Sequence, residues 1–296
     1  MKSLDPAFAS HVATGATTLA TCWRLTRRDG RVLGFTDHDL KLSFDGTDFL
    51  PASGLDGGET ASKLGAQVDT GEVVGILASE AITEDDILLG RYDGAQVETF
   101  RVNWRDPAIR DLRSRTTIGE ITREDGRFRA ELRSGQQALN VARGRLYQSL
   151  CDAALGDARC GVNLADPAFR AEATVTAIRD RFRLEIAGVS GFAEGWFGFG
   201  TAAWSEGRRA GLADQIQSHQ RLGGADIFSF SAPVGDWVAP GDAFTVSAGC
   251  DRSFATCKAK FANAANFRGF PHIPGSDFVL TYPKAGATLD GAPLIP

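Results

Sequence analysis

Leu19-Ala20-Thr21-Cys22-Trp23-Arg24-Leu25-Thr26, followed by Arg27-Arg28-Asp29-Gly30-Arg31 and then Val32-Leu33-Gly34-Phe35, is the stretch on which the fold class turns. Leu19, Trp23 and Leu25 fall on one face at period 2, and an apolar run returns after the Asp-Gly dipeptide. Alternation at that period marks a half-buried strand, and Asp-Gly suits a two-residue hairpin turn because both central residues accept positive φ. The dipeptide recurs at Asp45-Gly46, Asp93-Gly94 and Asp125-Gly126, each flanked by short apolar runs, and Phe100, Val102 and Trp104 alternate in the same way. The N-terminal half reads as antiparallel β.

The pattern changes near Gly135. Leu139, Ala142, Leu146 and Leu150 recur at spacings of three and four, which predicts a helix over 136–150. Period-2 segments resume at 174–178, 182–186, 227–230 and, after Pro240-Gly241-Asp242, at 244–246. The expected fold is mainly β. It has two β-rich domains of antiparallel sheets or barrels, one connecting helix, and a short C-terminal helix at a four-cysteine site. The boundaries read as 1–135 for the first domain, 136–275 for the helix and second domain, and 276–296 for an extended arm carrying Pro and Gly with few large apolar residues.

Composition narrows the function classes. With 296 residues and 43% hydrophobic content the chain has material for a core. Lys and Arg number 32 against 37 Asp and Glu, for a net charge of -5, so there is no basic surplus with which to grip nucleic acid by counterion release. No stretch approaches the ~20 apolar residues of a membrane span. Asp5 and Pro6 stand where a secretory signal needs its apolar segment, so synthesis in a reducing cytoplasm is expected. In that compartment the five cysteines read as metal ligands or buried apolar residues rather than a disulfide framework.

Four of the cysteines form two pairs, Cys151 with Cys160 and Cys250 with Cys257. Four thiols can close a Cys₄ site, for which zinc and an iron–sulfur cluster are the candidates. Structural zinc favours pairs two to four residues apart, whereas these are wider, so the spacing leans toward a cluster without deciding it. Ser253 is positioned to cap a helix on which Phe254, Cys257 and Phe261 share a face, turning the Cys257 thiol inward. Cys250 lies just before that helix, where N–H groups and the positive dipole end favour a thiolate, and Lys258 and Lys260 could offset the negative charge of a bound cluster. Cys22, between Thr21 and Trp23 in a strand, reads as a core residue.

The run from Cys22 to Gly30, with Leu33-Gly34-Phe35-Thr36-Asp37-His38-Asp39 and Phe44-Asp45-Gly46, resembles the opening of a family of tail baseplate hub proteins of phages and gene transfer agents. Cys250, Cys257 and Asn266-Phe267-Arg268-Gly269-Phe270-Pro271-His272-Ile273-Pro274-Gly275 are similar to that family's end. The four-cysteine arrangement is also similar to that of the tail-tip protein of lambda-like siphophages, whose C-terminal domain holds a [4Fe–4S] cluster. The resemblance implies a virion structural protein at the tail tip, made in the bacterial cytoplasm. It implies a homo-oligomeric ring, expected as a homotrimer, between the distal tail protein and the central fibre or receptor-contacting protein, with a lumen for DNA. It also implies cluster ligation by Cys151, Cys160, Cys250 and Cys257, with zinc as the alternative. The acidic balance suits passage of DNA during ejection, because a basic lumen would hold what it must release.

Enzymatic signatures are sparse. There is no Gly-x-Ser-x-Gly elbow, phosphate-cradling Gly-Lys loop or His-Glu-x-x-His. Asp37-His38-Asp39 is the most catalytic-looking cluster and would serve a metal-dependent cell-wall hydrolase. Successive strand residues point to opposite faces, however, so the three cannot converge on one metal, and a polar turn at a strand end is the favoured reading. Gly195-Trp196-Phe197-Gly198-Phe199-Gly200 could stack a sugar or a base, but reads first as core where backbones approach closely. No enzyme is expected. A cytoplasmic iron–sulfur sensor is the remaining rival.

Overall fold

A computed structural model describes residues 4–51, 55–56, 70–75, 82–124, 127–135 and 144–273. The chain divides into two compact units, Met1–Arg143 and Gly144–Pro296.

The first unit opens with helix α1 (Pro6–Ala13), whose N-terminus is capped by the Asp5 carboxylate accepting from Ala7 and Phe8 N–H. Its sheet contains β1 (Leu19–Thr26), β2 (Val32–Thr36), β3 (Leu42–Phe44), β4 (Thr47–Pro51), β5 (Leu55–Asp56), β6 (Thr70–Gly75), β7 (Gln96–Asn103), β8 (Arg110–Glu124) and β9 (Arg127–Ser134), with the short helix α2 (Glu84–Leu88) between β6 and β7. The strand order is β3-β4-β2-β1-β7-β8-β9-β6-β5. All pairings are antiparallel except β2 with β4.

β1 is buried on both faces. Trp23 and Leu25 join Phe35, Tyr92, Val97 and Ile118 on one side, while Ala20 and Cys22 join Phe44, Phe49, Phe100 and Val102 on the other. The alternation read from the sequence covers the first of these faces. The second was hidden because Ala20 and Cys22 are small. Cys22 is a core residue, fully buried, and burial pushes its thiol up to about 11. On the face of Cys22 and Phe100, Arg24 donates to Glu98 on β7 (2.7 Å) and Arg115 on β8 donates to the same carboxylate (2.8 Å), a charge ladder across three strands.

The Asp-Gly turns take three forms. Asp45 (φ 48) and Gly46 (φ 70) are both left-handed between β3 and β4, a two-residue hairpin of the expected kind. At Asp29-Gly30 only Gly30 is left-handed, and Arg27 N–H bonds Arg31 O across a loop one residue longer. There Arg27 is buried, bonded to Asp29 and to Asp86 (3.0 Å), and lies over the Tyr92 ring. That ion network favours the wider loop. Asp93-Gly94 links α2 to β7 and is not a hairpin. Asp125-Gly126 lies outside the described residues.

The second unit is built on a closed barrel of β10 (Arg170–Ile178), β11 (Arg183–Ala187), β12 (Thr201–Trp204), β13 (Ala213–Leu222), β14 (Ala225–Phe230) and β15 (Ala243–Ser247), in the order β10-β11-β14-β13-β12-β15. Alternate residues fill its interior, among them Val175, Leu184, Ile186, Ile216, Phe228, Phe230, Phe244 and Val246. Two buried polar groups are satisfied within it. Asp214 accepts from Trp204 Nε1 (2.6 Å) and from Arg209 (2.7 Å and 2.8 Å). Asp226 accepts from Arg221 Nε (2.8 Å) and lies 3.1 Å from His219 Nε2.

Of the helix expected over 136–150, residues 136–143 lie outside the described residues, and 144–150 run as irregular chain. Leu146 (77% exposed) and Leu150 (48%) are not buried, and burial rather than periodicity stabilises a helix. The segment instead pairs with 268–270, where Phe270 N–H donates to Gln148 O (2.9 Å) and Arg145 donates to Arg268 O (2.8 Å). The arm at 276–296 is outside the described residues.

Burial alone would raise the Asp226 carboxyl, but its bonds to Arg221 and His219 hold it below its ordinary value of 3.8. Its contribution to stability is therefore complete above pH 3.8 and is lost as pH falls through the depressed value. Asp226→Asn is expected to cost about 1.5–3 kcal/mol at neutral pH. It is also expected to flatten the loss of barrel stability below pH 4, measured by denaturant unfolding across a pH series.

Candidate metal centre

Before the barrel, the segment carrying Cys151 and Cys160 is shaped by Asp157. Its carboxylate accepts from Ala154 N–H (2.9 Å), Arg159 N–H (2.9 Å) and Cys160 N–H (2.6 Å), and its carbonyl accepts from Gly161 N–H (2.7 Å). Those backbone bonds, that from Cys160 first, hold the Asp157 carboxyl below its usual range. After the barrel, β15 runs through Ala248 and Gly249 into Cys250, and α3 (Phe254–Phe261) follows. Ser253 caps this helix, accepting from Thr256 N–H (3.1 Å), as its sequence predicts. Cys257 and Phe261 are buried on its inner face.

The barrel brings the two segments together. Cys151 N–H donates to Arg252 O (2.9 Å), and all four thiols of the predicted set line one cavity of about 490 Å³ with Leu155, Val162, Leu164, Phe199, Phe261 and Phe267. N–H groups approach the sulfurs. Arg252 N–H donates to Cys250 Sγ (3.3 Å), Arg268 N–H to Cys151 Sγ (3.4 Å), and Asn263 Nδ2 approaches Cys160 Sγ (3.7 Å). The Cys257 thiol donates to Asn263 O (3.3 Å).

Opposing influences act on Cys250. Burial pushes its thiol up, the Arg252 N–H lowers it, and Asp251 with the neighbouring Cys151 and Cys160 raise it further. Cys257 is likewise pushed up by burial and then by Cys250, Cys151 and Cys160. Four cysteines around one cavity form a donor set for a soft, positively charged group. Among the described residues no three His, Cys, Asp or Glu side chains are drawn together closely enough to clasp a metal ion. Four zinc bonds of 2.3 Å would hold sulfurs about 3.8 Å apart.

Asp37, His38 and Asp39 form no comparable site. Asp37 closes the end of the β1–β2 pair, accepting from Thr21 N–H (2.7 Å) while its own N–H donates to Thr21 O (3.1 Å). His38 accepts from Leu40 N–H (3.0 Å) and packs on Trp104 at 5.1 Å between ring centres. This is the polar turn at a strand end.

The family model described as baseplate hub protein, N-terminal attachment domain, matches residues 5–163, more than half of the chain. The chain belongs to the baseplate hub protein family. A second family model, described as phage conserved hypothetical protein BR0599, matches residues 195–277 of this hub, the part that carries Cys250 and Cys257. The hub is similar over 97% of its length, at 42% identity and a TM-score of 0.88, to a chain of a solved structure described as the virion of a native gene transfer agent particle, 99% of which is covered. None of the curated proteins matches it. No described helix of the hub is long and apolar enough to cross a membrane.

The Gly/aromatic run shapes the hub's cavity from the barrel side. Phe197 is fully buried in the barrel core, and Phe199 stands at the cavity with left-handed backbone (φ 61). Gln215 Nε2 holds that turn by donating to Phe199 O (2.7 Å) and Gly200 O (3.0 Å). Gly249 packs directly on the turn, so that a Cβ there would lie 1.9 Å from Gly198 O and 2.2 Å from Gly200 N. Of the two lysines singled out, Lys258 is exposed. Lys260 folds inward, donating to Gly249 O (2.8 Å) and Trp196 O, with its ammonium 4.7 Å from the centre of the Trp196 ring. Burial pushes it down to about 8, against the pull of Cys250 and Asp251.

Sequence reasoning found the four thiols and the helix cap but missed Asp157 and Asn263. The first had a signal in Asp157-Ala158-Arg159-Cys160-Gly161, an Asp followed by residues whose N–H groups it can cap. The second had none, since Asn263 meets Cys160 only in the folded chain.

Gly249→Ala is expected to cost at least about 1–3 kcal/mol, because both contacts are backbone and cannot move aside cheaply. The same change is expected to expose Cys250 to alkylation, measured by mass spectrometry after a timed iodoacetamide pulse, while Cys22 stays protected.

Proposed function

We propose that this hub is a structural component of the tail baseplate of a phage-like gene transfer particle. It forms a ring, as a homotrimer, between the distal tail protein and the central fibre or receptor-contacting protein, and leaves a lumen through which DNA leaves. The observation that carries this reading is the likeness at 42% identity, over nearly the full length of both chains, to a chain of a gene transfer agent virion. The role is assembly rather than turnover. A net charge of -5 is compatible with DNA passing without being held.

Cys151, Cys160, Cys250 and Cys257 would hold a [4Fe–4S] cluster in this reading. The group would supply four metal–thiolate bonds that tie the chain before β10 to the chain after β15, adding to folding free energy as structural metal sites do. A cavity of about 490 Å³ lined by all four cysteines supports a group larger than a single ion. Around it the hub's own residues would line the site with Phe199, Phe261 and Phe267, present N–H groups to the sulfurs, and bring the Lys260 ammonium near Cys250.

Hub purified without oxygen is expected to be brown and to contain iron and acid-labile sulfide in equal amounts. Cys257→Ala should abolish both, whereas Cys22→Ala should leave them unchanged at some cost in stability. A colourless protein with stoichiometric zinc would replace the cluster by the alternative metal. In cells making particles, deletion of the hub is expected to give tails without a tip by electron microscopy, and intact tips would refute the structural role.

A further inference from the structure

Asn263 touches both cysteine pairs. It follows Ala262, whose left-handed backbone (φ 49) ends α3 and turns the chain back toward the cavity. Its N–H donates to Cys257 O (3.0 Å), and its carbonyl accepts the Cys257 thiol (3.3 Å). Its side-chain amide donates to Cys160 O (2.7 Å) and approaches Cys160 Sγ (3.7 Å), across 103 positions of sequence. The other end of that amide is fixed, because Asn266 Nδ2 donates to Asn263 Oδ1 (2.7 Å). With Oδ1 taken by a donor, Nδ2 is the atom that must face Cys160. Asn266 and Asn263 both line the cavity.

We propose that Asn263, oriented by Asn266, is the positioning residue of the hub's thiol site. It clamps the Cys160 loop to the Cys257 helix before any group is bound, and it directs an N–H at the Cys160 sulfur once one is. The proposal rests on the cluster reading for its second half only, since the clamp is a property of the free protein.

Two consequences separate this role from general packing. Hydrogen bonds to ligand sulfurs help set a cluster's reduction potential by withdrawing charge from the thiolate. Loss of a partner that orients a metal ligand commonly costs about 10–100-fold in metal affinity. Asn263→Ala should lower the potential and speed iron release to a chelator by about tenfold or more. Asn263→Asp, the same shape with a carboxylate facing sulfur, should lower the potential further. Asn263→Gln keeps an amide and should recover part of the loss, and Asn266→Ala, which frees the amide to rotate, should fall between wild type and Asn263→Ala.

The experiment uses the full-length hub in two forms. Loaded protein, prepared without oxygen, is titrated electrochemically and challenged with a ferrous chelator. Metal-free protein is pulsed with iodoacetamide, and Cys160 alkylation is compared between wild type and the four variants, with Cys22 as the protected internal reference. Faster Cys160 alkylation in Asn263→Ala together with a lowered potential supports both halves. Faster Cys160 alkylation in Asn263→Ala, with a wild-type hub that never takes up iron and sulfide, supports the clamp and overturns the cluster reading. Unchanged alkylation and unchanged potential in Asn263→Ala and Asn263→Asp overturn the proposal. Should Asn263→Ala fail to fold, the Asn263→Asp and Asn266→Ala pair carries the same comparison.

Discussion

The close approach of two backbones, Gly249 against Gly198 and Gly200, is the contact on which the cysteine site depends. β15 can enter Cys250 at the cavity wall only if nothing larger than hydrogen stands at Gly249, since a Cβ there would sit 1.9 Å from a carbonyl oxygen. That contact sets where α3 begins, and hence where Cys257 points and where Asn263 meets Cys160. On the same junction Lys260 bonds Gly249 O, so a cation from α3 locks the strand end that launches α3. Sheet closure, helix start and thiol placement are therefore one geometric problem with one solution.

Much of the fold was legible because its signals are local. Period-2 burial in β11 and β15 can be read residue by residue, and Ser253 marks α3 by a hydrogen bond made within four residues. The Asp45-Gly46 hairpin is local in the same sense. Failures arose where a distant partner decided the outcome. Asp29-Gly30 widened to accommodate a buried arginine paired with Asp86, far along the chain. Residues 144–150 carry helical spacing but are claimed by the 268–270 segment.

The candidate site divides along the same line. Its four cysteines were readable because cysteine is scarce and reactive, and four of five in two pairs is an uncommon arrangement. Its supporting residues were not, because Asn263, Asn266 and Gly249 are ordinary residue types whose importance comes from what the barrel sets beside them. The balance of influences on Cys250 was hidden for a related reason. A helix end was visible in sequence, but the burial at Cys250, to which Asp251, Cys151 and Cys160 add, was not.

The two cysteine segments flank the barrel in sequence, one before β10 and one after β15, so the order of synthesis bears on how the site is made. As the chain leaves the ribosome, Cys151 and Cys160 emerge first and wait through six strands for their partners. No complete set of donors exists until the last strand and α3 have cleared the exit tunnel. The four thiols can therefore meet only in a chain that has already made all six barrel strands, so a completed site reports that the whole barrel has been synthesised.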